Sequence, residues 1–402
     1  MIRLFLFAAL AGAIQAQAYA YRFGRVWDGE KVLTNAVIVV EKDRIKSIGA
    51  RDGATHGDEI DMTRYTALPG LIDVHTHLTY VLDTNRIGQA GRGAAAVYLS
   101  QGNARKTLET GVTTVRNLGA SDYADIAMRD LINAGMMTGP RMFVSGYGLQ
   151  ITRGGRGGAG TADGVAEVLK VVRQQVGAGA DVIKMYGSTG SGQDVTGDQT
   201  FTYDEMKAAV DAAHALGKRI AIHTYGPAGA RDAVRAGTDS VEHATDMDDE
   251  TIAEMARKKI FYVPTIDHNR YYVDNAQMLR YPAGATGPLN DFIARNLETA
   301  KKAFRAGVPF AMGSDAVYTM FGENTRELAW FVKAGMTPEQ ALKTATVGAA
   351  QLMGIDDRLG RLKPGYLADI AAFEGNPLEN IDAIQKVRWV MKAGAVVVDK
   401  TK

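Results

Sequence analysis

A chain of 402 residues, 46% hydrophobic and 23% charged, is too long for one small core and suits one large domain plus a lesser one. The formal net charge of +1 supplies no long-range field to gather nucleic acid or an acidic membrane. Cysteine is absent, so disulfides and thiolate metal sites are excluded, and a metal would have to be held by His, Asp, Glu or a modified Lys.

The N-terminus reads as a secretory signal. Arg3 supplies the positive region, and Leu4 to Ile14 is apolar but too short to span a bilayer. Small-x-small sites follow at Ala16-Gln17-Ala18 and Ala18-Tyr19-Ala20, so residues 1–20 are expected to be removed. In a bacterium the mature protein would be periplasmic or secreted. No later stretch is long and apolar enough for a membrane helix.

Short β-like runs come next: Tyr21–Trp27, Ala36–Val40 and Arg44–Gly49. The C-terminus has the same style at Ala368–Phe373, Val387–Met391 and Ala395–Val398. The two ends, 21–69 and 360–402, are expected to pair into one small β-sandwich domain. Between them, over 70–359, strand-like runs fall at 71–75, 112–116, 141–145, 181–185, 219–223, 239–242, 260–264 and 308–312. Helical patterns lie between most of these, including Val165–Gly177, Asp204–Gly217, Asp249–Lys259 and Leu289–Gly307. The expected fold class is α/β, a (β/α)8 TIM barrel whose active site lies at the C-terminal ends of its strands. An open doubly wound sheet is the alternative.

The unusual polar residues fall at those strand ends. In Asp73-Val74-His75-Thr76-His77 the histidines are two apart, so both project to one face of a strand. Lys184, His223 and His243 close the fourth, fifth and sixth runs, and Asp315 follows the eighth. One such residue is commonly structural, but their joint placement points to a metal centre. Histidine binds zinc through a neutral ring nitrogen. Lysine is cationic near neutrality, its ordinary pKa being about 10.4. Burial beside metal cations favours the neutral amine, which can capture CO₂ as a carbamate able to bridge two metals.

The pattern resembles the amidohydrolase superfamily. The resemblance covers nearly all of the mature chain. It includes Leu68-Pro69-Gly70-Leu71-Ile72-Asp73 before the paired histidines and Gly360-Arg361-Leu362-Lys363-Pro364-Gly365-Tyr366-Leu367-Ala368-Asp369 near the end. It is closer still to the branch of imidazolonepropionase-like proteins, Xaa-Pro dipeptidases, related carboxypeptidases and ochratoxin-hydrolysing amidases. That likeness rests on Val182–Ser188, His223-Thr224-Tyr225-Gly226 and Ser240-Val241-Glu242-His243-Ala244.

The resemblance implies two divalent metals, zinc being the default. His75, His77 and Asp315 would hold the more buried one, and His223 and His243 the second, with carbamylated Lys184 between them. A metal-bridging hydroxide would attack an amide carbonyl. Asp315 would take its proton and pass it to the leaving amine, while Tyr225 would donate to the oxyanion. One departure matters. Relatives often carry Gly-Gly-His after the third strand, whereas this chain has Arg153-Gly154-Gly155-Arg156. Arg156 or Arg153 is therefore the candidate anchor for a substrate carboxylate. His268 and Tyr318 are further pocket candidates, while His56 and His214 read as structural or exposed.

The expected substrate is a small molecule with an amide bond next to a C-terminal amino acid. Dipeptides, N-acyl amino acids and ochratoxin-like amides all qualify. A cyclic-amide or lactone hydrolase on the same scaffold is the alternative. A non-catalytic binding protein is a second alternative, disfavoured because every ligand position is filled. No nucleic-acid or membrane partner is expected, and assembly into a homo-oligomer is left open.

Overall fold

The computed structural model describes residues 18–51, 59–81, 92–152, 158–192, 194–282 and 284–402. Both ends of the chain enter one sheet. Its strands are β1 (Ala18–Trp27), β2 (Val32–Glu41), β3 (Arg44–Ala50), β4 (Glu59–Pro69), β12 (Ile370–Glu374), β13 (Val387–Lys392) and β14 (Ala395–Asp399). They run in the order β14-β13-β12-β4-β1-β2-β3. β1 begins within the stretch read as a leader, because Ala18 to Ala20 continue the ladder against Val39 to Glu41. Residues 1–17 lie outside the described residues.

This sheet curls onto itself. The Trp389 ring on β13 is 5.1 Å from Tyr21 and 6.2 Å from Phe23 on β1, centroid to centroid. Three strand spacings, about 14 Å when flat, separate those strands along the sheet. The two sheet edges also meet: a Cβ on Gly394 would overlap the Lys42 carbonyl oxygen, and Ala368 N–H donates to Asp43. One apolar core of Phe23, Ile38, Met62, Ile370 and Trp389 is thus enclosed between the two halves of the sheet.

The middle of the chain makes the barrel. Its strands are β5 (Leu71–Thr76), β6 (Val112–Asn117), β7 (Arg141–Val144), β8 (Val182–Tyr186), β9 (Arg219–Thr224), β10 (Ser240–His243) and β11 (Phe261–Val263). They pair as two parallel groups, β5-β6-β7 and β8-β9-β10-β11. Leu149 bridges β7 to β8, its N–H donating to the Lys184 carbonyl and its own carbonyl accepting from Tyr186.

The run at 308–312 closes the ring but is not a regular strand. Pro309 has no N–H to donate, so the run joins its neighbours by scattered bonds. Tyr262 N–H donates to Pro309, Ala311 N–H to Tyr262, and Val74 N–H to Met312. Helices α1 (Arg92–Glu109), α2 (Ala124–Asn133), α3 (Val165–Ala178), α4 (Tyr203–Ala215), α5 (Pro227–Ala236) and α6 (Asp249–Lys258) follow successive strands. After β11 come α7 (Ile266–Asp274) and α8 (Thr286–Arg305), then α9 (Glu327–Lys333), α10 (Pro338–Thr344) and α11 (Val347–Met353). No helix among the described residues is long and apolar enough to cross a membrane.

A fork-shaped ion pair ties the barrel to the sheet. Arg141 on β7 donates from Nη1 to Asp369 Oδ2 at 2.8 Å and from Nη2 to Oδ1 at 3.3 Å. Asp369 is buried and also accepts the Ala393 N–H. Arg141→Met strands that carboxylate, so a loss of about 3 kcal/mol is expected in urea unfolding. Adding Asp369→Asn should recover part of it.

Candidate metal centre and active site

Each candidate side chain stands where a strand ends or just beyond it. His75 and His77 leave the end of β5, Lys184 lies on β8, His223 on β9 and His243 on β10, and all five are buried. Asp315 follows the closing run, with its carboxylate in the middle of the group. Its Oδ1 is 3.0 Å from His77 Nε2 and 3.5 Å from His75 Nε2, and its Oδ2 is 3.3 Å from His268 Nε2. Lys184 Nζ reaches within 3.5 Å of His75 Nε2. The His243 ring centroid lies 4.9 Å from His75 and 4.5 Å from His223.

The backbone is forced to deliver these groups. His243, Asp315 and Thr265 adopt positive φ of 73°, 51° and 50°, a region costly for side chains other than glycine. Gly313 lets the chain press onto β5, since a Cβ there would stand 2.7 Å from the His75 Cβ. Buried Asp73 then fixes the segment: it accepts from Ser314 N at 3.0 Å, Ser314 Oγ at 2.6 Å and Asn324 Nδ2 at 3.0 Å. Asp315 N–H in turn donates to the His75 carbonyl at 2.7 Å.

Three supporting residues were not anticipated from sequence. Glu242 Oε2 accepts a hydrogen bond from His75 Nδ1–H at 2.7 Å, which leaves Nε2 toward Asp315 and Lys184. Glu242 Oε1 accepts from Arg116 Nη2 at 2.9 Å and from Ser240 Oγ at 2.5 Å. Arg116 Nε is bonded to the Val74 carbonyl at 2.5 Å. The signal was present, because a lone Arg and a lone Glu in two apolar barrel strands must find partners. The third, Glu327 on α9, accepts the Ile266 and Asp267 N–H groups at 2.9 and 2.8 Å, so it seats the start of α7.

Burial and neighbours set the charge states. Burial pushes the Lys184 amine down to about 8 and the His75 imidazole down to about 4. It likewise holds His223 and His243 well below their ordinary values. Burial acts on Glu242 in the opposite sense, but Arg116 and His75 outweigh it and hold its carboxyl at about 2. Asp315 is also held ionised against burial, by His268 and the paired histidines. Burial thus favours the neutral imidazole at His75, His223 and His243, the form in which histidine binds a divalent cation.

A donor set fit for a metal is evident. The ligand-capable atoms of His75, His243 and Asp315 lie within 4.8 Å of one another. His77 Nδ1 and His223 Nε2 are buried without a hydrogen-bond partner. His75 Nε2 and His77 Nε2 face the Asp315 carboxylate and His75 Nε2 the Lys184 amine, and with no cysteine in the chain this donor set suits zinc or a similar divalent ion.

Of the remaining sequence candidates, Tyr225 has its ring 5.1 Å from both His223 and His243. His268 lies against Asp315, and its Nδ1 bonds the Asp315 carbonyl at 2.8 Å. Tyr318, half-buried, sits past Asp315 and donates its N–H to the Tyr80 carbonyl. The Gly187–Gly192 segment packs on the site tyrosines: a Cβ on Gly190 would overlap the Tyr225 ring, and one on Gly192 the Tyr272 ring. His214, half-exposed, bonds Asp239 at 2.9 Å, away from the site. Arg153, Arg156 and His56 lie outside the described residues.

Residues 66–397 match the model of the Amidohydrolase family, and the chain belongs to that family. It is 31% identical over 404 residues to ochratoxinase of Aspergillus niger, covering 90% of this chain and 82% of that protein. An imidazolonepropionase of Fusobacterium nucleatum is 23% identical over 388 residues, covering 86% of each. Among solved structures, a Xaa-Pro dipeptidase with methionine bound in its active site superimposes with a TM-score of 0.86 at 30% identity. That match covers 94% of this chain and 99% of the dipeptidase. The fold is therefore the TIM barrel with its small β-sandwich domain, and the protein is a hydrolase of this family. Its members generally bind divalent metals, and the His75–His243–Asp315 cluster has the donors that could hold one.

Glu242→Gln exchanges one acceptor oxygen for a donor and strands part of Arg116 or His75. Zinc affinity is expected to fall about 10–100-fold, read by competition with a chelating dye.

Proposed function

We propose that this protein hydrolyses an amide bond next to a C-terminal amino acid, in a dipeptide or an N-acyl amino acid, with ochratoxin-like amides in the same class. The observation carrying this reading is the Asp315 carboxylate buried among His75, His77, His243 and His268, with Lys184 beside them. Ochratoxinase and the Xaa-Pro dipeptidase, each about a third identical to this chain, support the substrate class.

His75, His77, His223, His243, Asp315 and a carbamate on Lys184 would hold two divalent cations, zinc foremost, which supply Lewis acidity at the carbonyl and an acidified water. Asp315 takes one proton from the water whose oxygen adds to the carbonyl carbon. It returns that proton to the amide nitrogen as the C–N bond breaks, leaving a carboxylic acid and an amine, and the acid's remaining proton passes to the amine or to solvent to give the carboxylate. Tyr225, whose phenol burial keeps protonated, donates to the oxygen that becomes negative. Arg156 or Arg153 is our candidate for the substrate carboxylate.

The deciding test is amine release from a panel of dipeptides and N-acyl amino acids by zinc-loaded protein in bicarbonate. Metal-dependent release confined to substrates with a free C-terminal carboxylate is expected. Turnover of cyclic amides or lactones alone would replace this reading with the ring-opening one.

Lys184 adds a pH dependence. Carbamate formation joins the amine nitrogen to the carbon of CO₂ with loss of one proton, so it needs the neutral amine. Burial lowers the folded pKa to about 8 from the ordinary 10.5, so the neutral form gains as pH rises through 8. A ¹³C carbamate signal from labelled bicarbonate should grow between pH 7 and 9 and be absent from Lys184→Ala. A signal confined to pH above 10, or one retained by Lys184→Ala, would rule out a carbamate on Lys184 near neutral pH.

A further inference from the structure

One polar group facing this site is left unused by the reading above. Asn269 lies on α7, one residue past His268, and is 1% exposed. Its amide nitrogen is buried without a hydrogen-bond partner. Nearby groups of the cluster that are not metal candidates are tied down: Glu242 accepts three bonds, Thr265 Oγ1 is 2.6 Å from His243 Nδ1, and Tyr262 O–H is bonded to Ala244 and Asn296. A buried N–H₂ without an acceptor is unfavourable, and a fold retains one most readily where a ligand supplies the acceptor.

Its surroundings say where that acceptor would sit. His268, its neighbour in the chain, approaches Asp315 Oδ2 to 3.3 Å. Tyr272, one turn on, holds its ring 4.9 Å from His268. The Asn269 amide also lies within hydrogen-bonding range of the Tyr225 hydroxyl, without the alignment of a formed bond. The Tyr225 ring lies against His223 and His243. Two neutral donors, a phenol O–H and an amide N–H₂, thus approach one region beside the proton-carrying carboxylate.

We infer that Asn269 is a second hydrogen-bond donor, paired with Tyr225, to the acyl oxygen of the scissile amide. The assignment rests on the amide-hydrolase reading and deepens it. The acyl oxygen fits better than the substrate carboxylate for two reasons. The donor lies beside the Tyr225 hydroxyl, which already points to that oxygen in the reading above, and it is uncharged. A carboxylate is better gripped by a guanidinium. A fixed neutral donor in a dry site does most where charge develops, as it does on the carbonyl oxygen when water adds.

The test compares the zinc-loaded full chain with Asn269→Leu, which keeps the approximate volume without the donor. Each is assayed on the best amide of the panel, with the N-methylphosphonyl analogue of that substrate as inhibitor and the free product amino acid as a second inhibitor. In the variant, kcat is expected to fall about 100-fold with KM within twofold. Phosphonyl affinity should weaken by a similar factor, while product affinity and bound zinc stay unchanged. The melting temperature should hold or rise, because the unpaired donor is gone. If Asn269→Leu folds poorly, Asn269→Asp carries the same comparison at the same side-chain shape.

A kcat within threefold of the parent overturns the assignment. So does a loss confined to KM and product affinity, which would place Asn269 on the carboxylate. So does a fall in activity that only tracks lost zinc and a lower melting temperature, in both variants. Failure of the parent protein to release amine from any amide removes the underlying reading and the assignment together. Parent turnover with an unaffected variant removes the assignment alone.

Discussion

The Arg116–Glu242 ion pair inside the barrel is the constraint on which the site depends. Both groups are almost fully buried, and neither could stand there alone. Each is committed on several sides: Arg116 to Val74 and Ser240, Glu242 to Ser240 and His75. The pair therefore joins β5, β6 and β10 through side chains, at the depth where their ends carry the functional groups. Its most consequential bond is the one to His75, whose ring is fixed with one nitrogen spent on Glu242 and the other free for the centre.

A second clamp acts from the closing side of the barrel. The run at 308–312 makes few ladder bonds, because Pro309 has no donor. Regular pairing cannot fix where Asp315 falls, so Asp73 does it through Ser314 and Asn324. Positive φ at His243, Thr265 and Asp315 is tolerated because each residue is held by such bonds. Thr265 grips His243 Nδ1, and Glu327 seats the helix that begins beside it. The strained backbone and the buried carboxylates are two sides of one device, which places a charged cluster where apolar packing alone would not.

Much of this was legible in the sequence. The apolar runs marked seven barrel strands to within a residue or two, because parallel strands buried on both faces read as continuous hydrophobic stretches. Helix bounds were close for the same kind of reason: Val165–Gly177 was expected against an observed Val165–Ala178, with Gly179 in the left-handed cap. The eighth run departed from regularity at its proline, a residue visible in the sequence. The cluster of His75, His77, Lys184, His223, His243 and Asp315 could be read because each interrupts an apolar run at its end. Asp73 and Glu242 stood in quoted motifs but carry no local pattern that separates a strut from a ligand. Glu327 lies some sixty residues from the N–H groups it caps, a pairing only the closed barrel makes.

The tyrosines and Asn269 mark where sequence reading stops for a physical reason. A tyrosine at a strand end packs or donates depending on what its hydroxyl meets, and periodicity records neither. An asparagine in a helix shows nothing of whether its amide is satisfied. Both questions are answered by counting partners in three dimensions. That count separates two kinds of buried polar group around this centre. Glu242, Asp73 and Glu327 have their acceptors filled by the protein, so they hold the site in shape. His223 and Asn269 each retain a buried nitrogen with no partner, at a cost to the fold that a bound cation or substrate would relieve. The filled groups are the frame, and the unfilled ones outline what the frame was built to receive.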